Sequence, residues 1–182
     1  VGNPDSTMDE ITDAIRHLHH IPAEEIEFPE AVQKGLRVSL IEHFFTDDRT
    51  FVNVAKRVID LDSYYDIAQH VVYPPRSHGK LGGKSAGLFL AAQILKRHEA
   101  EAPLVAGVKV PKTWYITTDG IIDFIQYNDL EEVYNQKYAD IDQVRAEYPH
   151  IVQMFKNSTF SPPMVNGLSI LLDDLEGRPL IV

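Results

Sequence analysis

The sequence predicts a helix-rich α/β (α+β) fold. Apolar residues recur at helical spacing through roughly the first seventy positions, as in Ile11, Ala14, Ile15 and Leu18. One run, Thr113-Trp114-Tyr115-Ile116-Thr117, is rich in β-branched and aromatic residues and predicts a strand. Between them lies Gly79-Lys80-Leu81-Gly82-Gly83-Lys84-Ser85-Ala86-Gly87, which feeds an apolar helical run from Leu88 to Leu95.

The elements follow in chain order. Val1 to Thr7 is small and polar and is expected to be a disordered lead-in. Thr7 or Ser6 caps a first helix from Met8 to about His20, ended by Pro22. Pro29 opens a second, with Val32, Leu36, Leu40, Ile41 and Phe44 as its apolar positions. Thr46-Asp47-Asp48 caps a third helix through Val58, and Asp60 to Ser63 restarts a fourth over Tyr64 to Val71. Tyr73 to His78, with Pro74 and Pro75, is a loop. A helix runs from Ser85 to His98, and Pro103 to Lys109 is a loop or short strand. After the strand, Thr118 or Asp119 caps a helix through Tyr127. Leu130 to Glu147 reads as one charged helix, with Ile151 to Phe155 extending the helical region past Pro149. Ser161-Pro162-Pro163 is a loop, Val165 to Leu175 a helix, and Gly177 its terminator. Pro179-Leu180-Ile181-Val182 reads as a strand only begun. An unpaired apolar edge is a liability, so the chain is expected to be a piece of a longer protein.

The bulk numbers exclude several classes. The chain has 182 residues, enough for one domain with a real core, or a domain plus an extension. It has no cysteine, which removes disulfides and thiolate metal sites. The formal net charge of -10 argues against nucleic acid as a partner. No apolar run is long enough to span a bilayer, so no membrane partner is expected and the cytoplasm is the default location.

The glycine segment is the candidate site. Glycines let a backbone approach a ligand closely, and a helix start offers unpaired N–H groups with a positive dipole end. A lysine there completes a phosphate site. Gly83-Lys84-Ser85 is not a P-loop, because that motif requires a glycine where this chain has His78, and no buried apolar strand precedes it. Without more information, a flexible turn before a helix explains the segment equally well. His17 and His20 are an i, i+3 pair without an acidic or cysteine ligand beside them, and read as wet helix surface. Asp173-Asp174 and Glu131-Glu132 are adjacent on predicted helices, so neither pair faces inward as an acid–base couple; both read as solvated. In the strand, one of Trp114 and Tyr115 faces the core.

Leu81-Gly82-Gly83-Lys84-Ser85-Ala86-Gly87-Leu88 resembles the glycine-lysine signature that opens the nucleotide-binding domain of the pyruvate phosphate dikinase and phosphoenolpyruvate synthase family. Val110-Pro111-Lys112-Thr113-Trp114-Tyr115-Ile116-Thr117-Thr118 is similar to that family's valine-proline pair and threonine-ended strand, with Lys112 and Trp114 in place of the usual proline and phenylalanine. Arg178-Pro179-Leu180-Ile181-Val182 resembles the approach to its arginine-serine-serine motif. The resemblance spans Leu81 to Val182, whereas the helical Met8 to Pro75 region is less diagnostic.

The resemblance implies an incomplete ATP-grasp-like domain over residues 76–182, preceded by a helical extension over 1–75. It implies ATP and Mg²⁺ as cofactors of the full-length protein, with the Mg²⁺ ligands outside this chain. By motif matching, Lys84 contacts ATP phosphates, Gly82 and Gly83 admit the backbone, and Ser85, Thr117 and Thr118 complete the set. For Thr117 and Thr118, helix capping is an equal alternative. No catalytic residue and no metal ligand is assigned. The parent is expected to be an ATP-dependent kinase or dikinase, with downstream domains as partners and a small-molecule acceptor. The family suggests pyruvate, though relatives use others, including glucans and drugs. This piece alone is expected to be inactive. The alternative is a regulatory or protein-binding module on the same scaffold, to which the acidic Leu130–Glu147 helix would lend a surface.

Overall fold

A computed structural model describes residues 3, 5–21, 28–98 and 107–181. Helix α1, Met8–His19, starts on a capping box: Thr7 Oγ1 accepts the Glu10 N–H at 3.4 Å, and the Glu10 carboxylate accepts the Thr7 N–H at 3.0 Å. Pro22, expected to end it, lies outside the described residues. Helix α2, Glu30–Phe44, buries Leu40, Ile41 and Phe44. Its N-terminal half overhangs the core, so Val32, expected on the buried stripe, is instead 44 % exposed. Helix α3, Arg49–Val58, is capped by Asp48, whose Oδ1 accepts the Phe51 N–H at 2.8 Å.

Helix α4, Asp62–Gln69, stops short of the expected Val71. Val71 and Val72 form strand β1 instead and pair in parallel with Tyr115 and Ile116 of β2. Pairing with a distant segment overrides the helical pattern, which these β-branched residues supported only weakly. A parallel pair needs a long crossover, and α5, Gly83–His98, supplies its helix. Strand β2, Tyr115–Ile116, is shorter than the expected Thr113–Thr117. Its partner is cut off by Pro74 and Pro75, and Thr117 bridges to Leu81 instead.

Helix α6, Gly120–Tyr127, follows, but neither Thr118 nor Asp119 caps it with a side chain. The single helix expected from Leu130 to Glu147 is two elements. A 3-10 helix covers Glu131–Tyr138, Ala139 is extended, and Asp140 restarts the chain as α7, Ile141–Asn157. Asp140 Oδ1 accepts the N–H groups of Asp142 and Gln143, both at 3.0 Å, which favours a new start over continuation. Helix α7 runs through Pro149. Pro162 and Pro163, expected in a loop, form the first turn of α8, Pro162–Asp174, where a missing N–H costs nothing. Gly177 ends that region with φ +72. Residues 178–181 form no strand, contrary to expectation, and Val182 lies outside the described residues.

The main core joins the first four helices to the glycine region. Phe44, Phe45, Tyr64 and Phe89 meet at its centre, with Phe45–Phe89 and Phe44–Tyr64 ring centroids 5.3 and 5.7 Å apart. Phe89 brings α5 into this cluster, so the start of α5 rests on the first four helices. Helix α8 packs on β1 so closely that a Cβ on Gly167 would lie 2.6 Å from Val72 Cγ1. Asp174 is not simply solvated: its carboxylate accepts from Lys112 Nζ at 2.6 Å and Trp114 Nε1 at 2.7 Å. Those bonds hold its carboxyl below the usual 3.8. Among the described residues, no helix is long and apolar enough to cross a membrane.

Tyr64 is fully buried and its hydroxyl has no hydrogen-bond partner among the described residues. Burial pushes its ionisation well above the usual tyrosine range. An unsatisfied buried hydroxyl costs about 1–3 kcal/mol. Tyr64→Phe is therefore expected to hold or raise stability by up to about 1 kcal/mol in urea unfolding. A loss above about 1 kcal/mol would mean that the hydroxyl has a partner such as bound water.

Candidate functional site

The two motifs singled out in sequence lie side by side. Leu81 bridges to Thr117 in antiparallel fashion, and the Thr118 N–H donates to the Lys80 carbonyl at 2.9 Å. The Lys80 N–H returns a bond to Thr118 Oγ1 at 3.2 Å. A residue that sequence reasoning treated only as a helix cap holds this junction together. Asp119 Oδ2 accepts the N–H groups of His78 and Gly79 at 3.1 and 3.0 Å. Its Oδ1 accepts from Ser77 Oγ at 3.0 Å and Thr117 Oγ1 at 2.6 Å. Charge-assisted bonds of this kind are the stronger class. The signal in sequence was only Asp119's place beside the threonine pair, and spacing alone could not say which way its side chain turned.

The same segment is tied to α1 and α2. The Met8 N–H donates to the Ser77 carbonyl at 2.7 Å, and the Leu81 N–H to the Phe44 carbonyl at 2.6 Å. Gly79 is required by this packing, because any Cβ there would overlap the Asp119 carboxylate. Gly82, Gly83 and Gly87 are different. A Cβ on any of them would meet nothing within 4 Å, and none has positive φ. The surrounding protein imposes no steric demand for glycine at these three positions.

Helix α5 begins at Gly83, two residues before the expected Ser85, and its first helical bond runs from the Ala86 N–H to the Gly82 carbonyl at 3.0 Å. The N–H groups of Gly83, Lys84 and Ser85 thus precede the helical ladder, at the positive end of a helix of 16 residues. Lys84 is exposed in this first turn. Ser85 is half-buried. Thr118 is exposed, whereas Thr117 is buried and its hydroxyl is committed to Asp119. Open space at Gly82 and Gly83, free helix N–H groups and an exposed lysine fit the phosphates of a nucleotide. Among the described residues, no three His, Asp or Glu side chains group to hold a metal. His19 stacks on Tyr65 with centroids 3.7 Å apart.

A large cleft opens on another side of the segment. It has a volume of about 1090 Å³ and lies between α2, α3 and residues 78–80. Lys34, Arg37, Lys56, Arg57 and Lys80 line it, against the carboxylates of Glu42 and Asp47. Lys84, Gly82 and Gly83 do not line it.

The description "pyruvate phosphate dikinase, AMP/ATP-binding domain" belongs to a family model that matches residues 78–180, which include the glycine segment, β2, the Asp119 junction and all of α5 to α8. No curated protein and no solved structure matches the chain. The match covers more than half of the sequence and starts at the His78 that Asp119 anchors, and on it the chain belongs to the AMP/ATP-binding domain family of pyruvate phosphate dikinase.

Proposed function

We propose that this chain supplies part of the ATP cleft of a pyruvate phosphate dikinase-like phosphotransferase. In this reading, residues 76–182 are an incomplete ATP-grasp-like domain, and residues 1–75 are a helical extension that braces it. Lys84 contacts the ATP phosphates, with Gly82, Gly83 and Ser85 offering backbone N–H groups and Thr117 and Thr118 at the flank. The observation that carries this is Lys84 in the exposed first turn of α5, beside glycines whose missing side chains face open space, inside the matched residues 78–180.

The chemistry asked of these residues is electrostatic. Phosphoryl transfer needs positioning and stabilisation of moving charge rather than covalent help from the protein. A lysine at a helix N-terminus holds the phosphates and offsets that charge. ATP supplies the phosphoryl group, Mg²⁺ accompanies it, and pyruvate is the proposed acceptor. Ile116, Ile121, Ile122, Ile170 and Leu172 are 45–55 % exposed on β2, α6 and α8. So many large apolar side chains in the open suit packing against further parts of a larger domain. No described feature favours a non-catalytic module instead.

The test is MgATP binding by calorimetry, on this chain and on a version extended beyond Val182. Lys84→Ala is expected to weaken binding by at least about tenfold, equal to about 1.4 kcal/mol. Binding that ignores Lys84 would sink the reading.

A further inference from the structure

The chain carries 27 acidic against 17 basic side chains, yet among the described residues the 1090 Å³ cleft reverses that balance, with five Lys or Arg against two carboxylates. Like charges gathered in a concave, low-dielectric site repel one another and focus a positive potential. The internal pairing is thin. Lys34 is bridged to Glu30 at 2.7 Å, and Lys56 bonds Asn53 at 2.8 Å, both in exposed positions. The side chains of Arg57 and Lys80 show no ion pair or hydrogen bond among the described residues. Arg37, half-buried on α2, has its Nε sealed from solvent with no hydrogen-bond partner among the described residues. Its guanidinium charge acts on Asp60 and on the Tyr64 hydroxyl, whereas its Nε is one donor that no described residue satisfies.

We propose that this cleft binds a small molecule carrying two or more phosphates, at a site separate from the nucleotide segment at α5. The volume is that of a small-molecule site rather than a flat protein contact. Arginine forks suit phosphate oxygens, and Arg37 and Arg57 stand on two different helices, so a ligand would bridge α2 and α3. Glu42 and Asp47 leave the net charge positive while disfavouring anions that do not reach the basic wall. Lys80 lines the cleft through its side chain, while its backbone is bonded to Thr118 just before Gly82. An occupant therefore touches the segment that carries Lys84 without sharing its phosphate site.

Tripolyphosphate is the probe, titrated by calorimetry into the Lys84→Ala protein, in which the nucleotide segment lacks its lysine. One saturable site is expected, weakening as salt is raised from low to near-physiological strength. Adding Lys56→Gln and Arg57→Gln, both exposed and so compatible with folding, is expected to lower affinity at least about tenfold. Thermal melting checks that the fold survives. Absence of saturable binding to Lys84→Ala, or binding undiminished by the two α3 substitutions, would overturn the proposal. Neither outcome bears on MgATP binding at Lys84, whose own test uses a different ligand and the native α3.

Discussion

Asp119→Ala is expected to lower the melting temperature by about 5–15 °C, the largest effect of any single polar substitution outside the apolar core. The carboxylate accepts four bonds at once: two from backbone N–H groups of His78 and Gly79, and two from the hydroxyls of Ser77 and Thr117. Ser77 and Thr117 are 1 % and 2 % exposed, so water cannot readily replace the lost acceptor. Hydrogen bonds to charged groups are worth about 1.5–3 kcal/mol each, and losses within one network do not add. Since Asp119 itself is half-buried, a net cost of about 2–4 kcal/mol is a reasonable discount. Asp119→Asn separates charge from shape. Its oxygen can still face the two backbone donors while its amide faces hydroxyls free to rotate. The asparagine variant is expected to lose about half as much. If alanine melts within about 2 °C of wild type, the junction contributes nothing of note.

Glycine substitutions supply the second large contrast. Gly79→Ala is expected to cost about 2–4 kcal/mol, because the new methyl would lie within 3.0 Å of the Asp119 carboxylate and of its backbone nitrogen at 2.9 Å. The backbone nitrogen cannot swing aside as a flexible side chain could, so the Gly79 segment must move and break the Asp119 bonds. Gly83→Ala meets nothing within 4 Å and sits in the first turn of α5, where alanine is the better helix former. Its stability is expected to hold or rise by up to about 1 kcal/mol, while MgATP binding falls. Urea unfolding paired with calorimetry reads both quantities. Equal stability losses in the two variants would contradict this division between a structural and a ligand-facing glycine.

The helices that bury an apolar stripe were legible in sequence. Thr7 before Met8, the Thr46-Asp47-Asp48 cap, and the stripe through Ile11 and Ile15 all locate elements within a residue or two. Local hydrogen bonds and periodicity determine such elements, and both are written in consecutive residues. The glycine-lysine segment was legible for the same reason, as was its neighbourhood to the threonine pair through family resemblance. The errors fall where a distant partner or a competing cap decides. Val71 left its helix to pair with Tyr115, which stands far along the chain. Asp174 left a solvated face for Lys112 and Trp114. Asp140 split a charged stretch that had no strong apolar stripe to hold it as one helix.

By itself, then, the sequence determined where α1 to α5 form, that Lys84 opens a helix through glycines, and which family the chain resembles. Only the tertiary structure decided that Asp119 faces backwards to clasp His78 and Gly79, that Gly79 and Gly83 are glycine for different reasons, and that Lys34, Arg37, Lys56, Arg57 and Lys80 converge on one cleft. The physical reason is range. Caps and stripes act over three or four residues, whereas a carboxylate's direction, the space around a Cα and the gathering of cations depend on chain segments forty residues apart that meet only after the core has closed.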